Sequence, residues 1–221
     1  MSYEHINIAV VAGTHVDTQM GVDFLKANYP GINAVFAPTS DNAEEQFHFQ
    51  HSPADVKMQI LKERFKKLME QGIDRFFIYC NSLSGAVDFP ALSRELGVPI
   101  VTPHIIYSQL AVGHKVIGAI AANNVSLNGI ANAVYMGNPY ARVVGASLPY
   151  TVDYVEAKDS VADTIYKSGL DLLPAWFERM NCEMIILGCT HFPYFAEEFV
   201  KLTSLPVIDP AKEMADWIIS Q

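Results

Sequence analysis

The sequence predicts an α/β protein in which mainly parallel sheets are flanked by helices, and three observations carry that expectation. Short, nearly uninterrupted apolar runs recur along the chain, as strands buried on both faces require. Longer amphipathic stretches separate them, so that strand and helix alternate. Two of the runs end alike, in a cysteine followed by small polar residues and then a helix.

Taken in order, Ile6 to Val11 reads as a strand, Thr18 to Asn28 as a helix and Ala34 to Ala37 as the next strand. The segment Pro53 to Gln71 sets Val56, Ile60, Leu61, Phe65, Leu68 and Met69 on one helical face. It starts after Ser52, with Pro53 in the first turn, and stops at Gly72. Phe76 to Tyr79 is a strand, Gly85 to Leu96 a helix and Val98 to Val101 a strand. Val116 to Ala121, Asn124 to Met136 and Val143 to Ala146 repeat the pattern. Ser160 to Met180 reads as one helix kinked at Pro174. Met184 to Leu187, Tyr194 to Leu202, Pro206 to Ile208 and Ala211 to Ile219 complete the alternation, with roughly eight strands in all. The turns at Gly97-Val98-Pro99 and Ser204-Leu205-Pro206 are the expected crossovers between lobes.

With 221 residues, 50% hydrophobic and 18% charged, the chain can bury one large core or two smaller ones. Its 24 acidic residues outnumber 15 Lys and Arg, for a net charge of −9, and no basic run exceeds Lys66-Lys67. A nucleic-acid partner is therefore not expected. No apolar run approaches the roughly 20 residues that span a bilayer, and no Lys or Arg precedes the first one, so neither a membrane nor an export leader is expected. Three cysteines, Cys80, Cys182 and Cys189, are an odd number in a chain too large to need stapling. Free thiols in the reducing cytoplasm follow. A homodimer is left open.

In open parallel sheets the reactive groups collect past the carboxyl ends of the strands. Two such places match: Phe76-Phe77-Ile78-Tyr79-Cys80-Asn81-Ser82 and Ile185-Ile186-Leu187-Gly188-Cys189-Thr190-His191. The cysteines lie half a chain length apart, so two similar lobes would present them to each other across a cleft. One thiolate could then remove the α-proton of an amino acid while the other thiol protonates the opposite face, with no cofactor. Asn81, Ser82, Thr190 and the amides of the two helix starts would hold the substrate carboxylate and the charge that develops. His191 would draw Cys189 towards the thiolate. Cys182, at a strand entrance, has no such neighbours and reads as structural. No metal is expected, because Cys80, Cys189 and His191 lack a ligand spacing.

Leu187-Gly188-Cys189-Thr190-His191-Phe192-Pro193 resembles the Leu-Gly-Cys-Thr-His-Tyr-Pro signature of the aspartate/glutamate racemase superfamily, and Cys80-Asn81-Ser82 resembles its partner motif. Val116-Ile117-Gly118 and Pro206-Val207-Ile208-Asp209 look like the opening and return strands of the family's second lobe. The resemblance implies a cofactor-independent racemase of two pseudo-symmetric lobes, residues 1–101 completed by 207–221 and residues 102–206, with the active site in the cleft between them. It also implies that Cys80 acts on the D-enantiomer and Cys189 on the L-enantiomer, assisted by His191, of a small amino acid substrate, aspartate or glutamate. Asn81, Ser82 and Thr190 would bind the α-carboxylate.

The chain departs from that pattern after its first strand, where Ala12-Gly13-Thr14 stands in place of the family's Asp-Ser-Gly. The carboxylate that would assist Cys80 is missing there. Asp17 reads first as the cap of the helix beginning near Thr18, with assistance to Cys80 as the alternative. Gly13 and Thr14 are placed at the substrate. In the second lobe Ala121-Ala122-Asn123-Asn124 replaces a Thr-rich turn, with Asn124 at the substrate or the pair capping the next helix. Asp153 and Glu156 are candidates for a further acid or base, and His15, His48, His51, His104, Arg94, Arg142 and Lys158 are the cations available to a substrate side chain. The alternatives are a one-thiol isomerase or decarboxylase of small dicarboxylic acids, a non-catalytic binder of an acidic metabolite, and a Cys80 to Cys189 disulfide switch.

Overall fold

The computed structural model describes residues 6–41 and 43–221. The first five residues, read above as free of a leader, lie outside them. The chain forms two compact units, one of residues up to Pro103 with Ala211–Gln221 and one of His104–Pro210. The breaks fall at Pro103 and Pro210, shortly after the turns expected from the sequence.

The first unit contains β1 (Asn7–Val11), α1 (His15–Asn28), β2 (Asn33–Phe36), α2 (Ala43–His51), α3 (Ala54–Glu70), β3 (Arg75–Ile78), α4 (Asn81–Ala86), α5 (Phe89–Leu96) and β4 (Ile100–Val101). Its strands are parallel in the order β2-β1-β3-β4. Ile8 to Val11 and Phe76 to Ile78 have no exposed surface, because helices cover both faces of the sheet. Leu61 and Phe65 of α3 are equally buried, and the Phe65 ring stacks on Phe76 with centroids 3.9 Å apart. The C-terminal helix Pro210–Ile219 returns to this unit, where Asp216 accepts a hydrogen bond of 2.9 Å from the Tyr29 hydroxyl.

The second unit contains α6 (Pro103–Ala111), β5 (Val116–Ala121), α7 (Asn124–Gly137), β6 (Arg142–Ser147), α8 (Thr151–Glu156), α9 (Val161–Ser168), α10 (Leu173–Arg179), β7 (Met184–Gly188), α11 (Pro193–Val200) and β8 (Val207–Ile208). Its parallel sheet has the order β6-β5-β7-β8, the same as in the first unit with each strand replaced by its counterpart. Ile120, Phe177, Phe195 and Phe199 pack with no exposed surface on one side of that sheet, and Tyr107, Ile130 and Val134 on the other. Among the described residues no helix is long and apolar enough to cross a membrane.

Several helices differ from the sequence reading, three of them as follows. Pro53 is the cap of α3 rather than its first-turn residue, and the cap carries no side-chain hydrogen bond. The helix expected over Gly85 to Leu96 is two, because Val87 is extended and the Asp88 side chain accepts from Ala91 N–H to start a new helix, with Pro90 in its first turn. A proline inside one continuous helix would clash with the preceding turn. The helix expected over Ser160 to Met180 breaks at Gly169, in the left-handed conformation with φ 68°, and not at Pro174, which sits harmlessly in the first turn of α10.

Candidate active site

Cys80 lies two residues past the end of β3 and occupies the cap of α4 in an extended conformation, φ −166° and ψ 121°. Its residue is 7% exposed, and its sulfur lies 3.3 Å from the Ser82 hydroxyl. The Gly13 turn after β1 packs against it: a Cβ built on Gly13 would stand 3.8 Å from the Cys80 sulfur. Burial pushes the Cys80 thiol up, and the carboxylate of Asp17 adds to the shift, while the Ser82 hydroxyl and the N–H groups of Leu83 and Gly13 act the other way. A thiol so placed is hard to deprotonate and is a correspondingly strong base once it has lost its proton.

Asp17 is not the cap of α1. Thr14 is, its hydroxyl oxygen accepting from Asp17 N–H at 3.0 Å and its hydroxyl donating to the Asp17 carboxylate at 2.8 Å. The helix therefore begins at His15, earlier than the sequence suggests, and carries Asp17 in its first turn, 8% exposed and close enough to Cys80 for its charge to act on the thiol. A carboxylate, absent from the Ala12-Gly13-Thr14 turn itself, thus stands in the first turn of the helix that follows it.

In the second unit Cys189 follows β7, the strand that occupies in its sheet the place β3 occupies in the other. Gly188 before it has no room for a side chain, since a Cβ there would meet Ile130 Cδ1 at 2.2 Å and the Ile120 carbonyl oxygen at 3.0 Å. The Cys189 sulfur is 3.8 Å from His191 Nδ1, and the Thr190 hydroxyl oxygen is 3.5 Å from the same nitrogen. On its other side the imidazole Nε2 lies 3.2 Å from Glu156 Oε1 at the end of α8. The residue is 7% exposed. A carboxylate on Nε2 favours the tautomer with its proton there, which leaves the Nδ1 lone pair facing the thiol. The set Cys189, His191 and Glu156 is thus arranged to pass a proton to and from sulfur.

The structure brings together Gly13, Thr14, Cys80, Asn81 and Ser82 in the first unit, and Cys189, Thr190 and His191 in the second. Asn124 opens α7 just past β5, whose Ala121 pairs with Gly188, so it stands at the same sheet end as Cys189. The capping role there belongs to Asn123, whose side chain accepts from Ser126 N–H at 2.8 Å. Of the two acids offered beyond the motifs, Glu156 reaches His191, while Asp153 is an exposed first-turn residue of α8. Nothing in the spacing links Glu156 to a histidine far along the chain.

Two candidate cations are poorly suited to carboxylate binding. Burial pushes His104 down to about 4, so it is neutral at pH 7, and its Nε2 has no hydrogen-bond partner among the described residues. Arg142 begins β6 and pairs with Val116, at the sheet end opposite Cys189. Cys182 is buried and pushed up to about 11 by desolvation, as befits a packing residue. Among the described residues no group of three or more His, Cys, Asp or Glu side chains is placed to hold a metal ion.

No family model matches the chain. Among curated relatives, it is 31% identical over 176 residues to a glutamate racemase of Limosilactobacillus reuteri, a match that covers 76% of this chain and 65% of that one. The chain thus spans just under two thirds of the length of that relative. Two solved structures share its fold. A glutamate racemase of Francisella tularensis, determined with D-glutamate, superposes with a TM-score of 0.72 at 18% identity and covers 98% of this chain and 80% of its own. An aspartate racemase homologue from Pyrococcus horikoshii gives 0.71 at 17% identity and covers 97% of both chains.

Proposed function

We propose that the chain is a member of the aspartate/glutamate racemase superfamily, to whose members it is similar in sequence and fold, and that it is a cofactor-independent racemase of an acidic α-amino acid, aspartate or glutamate, acting in the cytoplasm. The observation that carries the reading is that the corresponding strands of the two sheets, β3 and β7, each end in a thiol, and each thiol has its own assisting groups.

In the proposed reaction one cysteine, as thiolate, takes the α-proton. The electron pair of the broken C–H bond spreads into the α-carboxylate, and the other cysteine, as thiol, gives its proton to the opposite face. Each turnover exchanges the protonation states of the two sulfurs, and exchange with water restores them. Cys189 is served by His191, which accepts the sulfur proton at Nδ1 while Glu156 holds Nε2–H. Cys80 is served by Asp17, whose negative charge raises the basicity of the thiolate. The side chains of Asn81, Ser82, Thr190 and Asn124, with the Gly13-Thr14 turn, hold the substrate carboxylate and the charge it gains. The acidic side chain of the substrate is supported by the similarity of the chain to glutamate racemases and to an aspartate racemase homologue.

Chiral chromatography of reactions started separately from L- and D-aspartate and from L- and D-glutamate tests this. The expected outcome is that, for at least one of the two, both enantiomers converge on an equal mixture. Absence of turnover in every reaction would overturn the assignment.

A further inference from the structure

A groove of about 550 Å³ opens in the first unit between the end of β2 and the helices α2 and α3, and none of Gly13, Thr14, Cys80, Asn81 or Ser82 lines it. Its floor is apolar, built from Ala37, Phe49 and Leu68 with Ile60 at the side. The volume lies in the range of small-molecule sites.

The rim carries Asp41, Glu45, Glu63, Arg64, Lys67 and His48, three carboxylates against two permanent cations, which does not favour a simple anion. Most of this charge is already spent within the protein. Arg64 is paired with Asp41 at 2.5 Å, and Glu45 accepts from Asp41 N–H at 2.9 Å. Two groups are not spent. Lys67 has no carboxylate or hydrogen-bond partner among the described residues, and Glu63 holds only the neutral amide of Gln59, at 2.8 Å. Glu63 and Lys67 stand one turn apart on α3, in the arrangement that ordinarily lets opposite charges meet, yet they do not form an ion pair. The buried hydroxyl of Thr39, which also contributes to the wall, has no hydrogen-bond partner among the described residues either, and such groups are uncommon in a completed interior.

We propose that this groove binds a zwitterionic α-amino acid with an apolar side chain, at a site separate from the two thiols. The ligand ammonium would face Glu63 and its carboxylate Lys67, a separation that one helical turn provides, while the side chain covers Ala37, Phe49 and Leu68. The charge pattern selects a molecule carrying both signs close together, and the apolar floor selects its body.

Titration calorimetry on the full chain with L-phenylalanine, phenylacetate and phenethylamine tests the assignment. L-Phenylalanine is expected to bind, and each analogue lacking one charge to bind at least about tenfold more weakly, as does L-phenylalanine to Lys67→Ala and to Glu63→Gln. Both substituted residues are exposed. In a Cys80→Ser, Cys189→Ser double variant the affinity is expected to be unchanged, so that the result stands whether or not the chain racemises amino acids. No binding of L-phenylalanine at millimolar concentration, equal binding of phenylacetate, or affinity untouched by both α3 substitutions would each overturn the proposal.

Discussion

Replacing Cys80 or Cys189 with serine is expected to lower racemisation by about 10²–10⁴-fold or more in either direction, the range contributed by a positioned acid or base. Serine keeps the size of the side chain and can fill the same space at the end of β3 or β7. Its hydroxyl is far less acidic than a thiol and cannot exchange the α-proton near neutral pH. In the proposed reaction the two sulfurs act in one sequence of steps, so that losing either blocks both directions. Cys182→Ser is the control and should retain activity, since that thiol is held near 11 by burial and has no assisting groups. Glu156→Gln should cause a smaller fall, because the amide removes the charge opposite Nε2 but leaves the His191 to Cys189 approach in place. Initial rates from each enantiomer, with circular dichroism to show that the variants fold, measure all four. Equal loss in Cys182→Ser would show that the wrong pair of thiols had been assigned.

The second large effect concerns stability. Gly137→Ala should destabilise the second unit by about 1–3 kcal/mol or more, the usual cost of overpacking, because α7 approaches α6 so closely there that an added Cβ would lie 1.8 Å from the Ser108 carbonyl oxygen and 2.7 Å from its carbon. Those are backbone atoms, so no side-chain rotation relieves the overlap and one helix must move. At roughly 2–4 °C per kcal/mol for a chain of this size, thermal denaturation should shift down by several degrees. An unchanged midpoint would contradict the close passage of α6 beside α7.

The strands were legible because parallel strands covered on both faces read as short apolar runs, and the eight runs coincide with β1 to β8 to within a few residues. Helices were less so. Residues of α6, Pro103 to Ala111, are apolar on several sides and give no single stripe, while α8 is too short for periodicity to register. The start of α1 was misplaced because Thr14 and Asp17 satisfy each other, and a reading that assigns one cap per helix chooses the wrong member of the pair. At the candidate site, the sequence pointed to Cys80, Cys189 and His191 through local motifs whose chemistry depends on adjacent residues. It offered Asp17 to Cys80 only as the alternative to a cap, and it could not link Glu156 to His191, because those approaches exist only once strand ends and helix starts are assembled. His104 misled for the opposite reason: its residue type offers a cation, and only the packing around it removes the charge.

The central claim, that two thiols act on opposite faces of one α-carbon, is tested most directly by the isotope content of the product at low conversion in deuterated water. A thiol exchanges its proton with solvent between turnovers, and the sulfur that receives the substrate hydrogen is not the one that delivers the new one. Mass spectrometry of the separated enantiomers should therefore show product deuterated at the α-carbon from its first appearance, with the remaining substrate still largely protiated. Product that retains a substantial share of the original α-hydrogen would mean that one group carries the proton across both faces, and would contradict the pairing of Cys80 with Cys189.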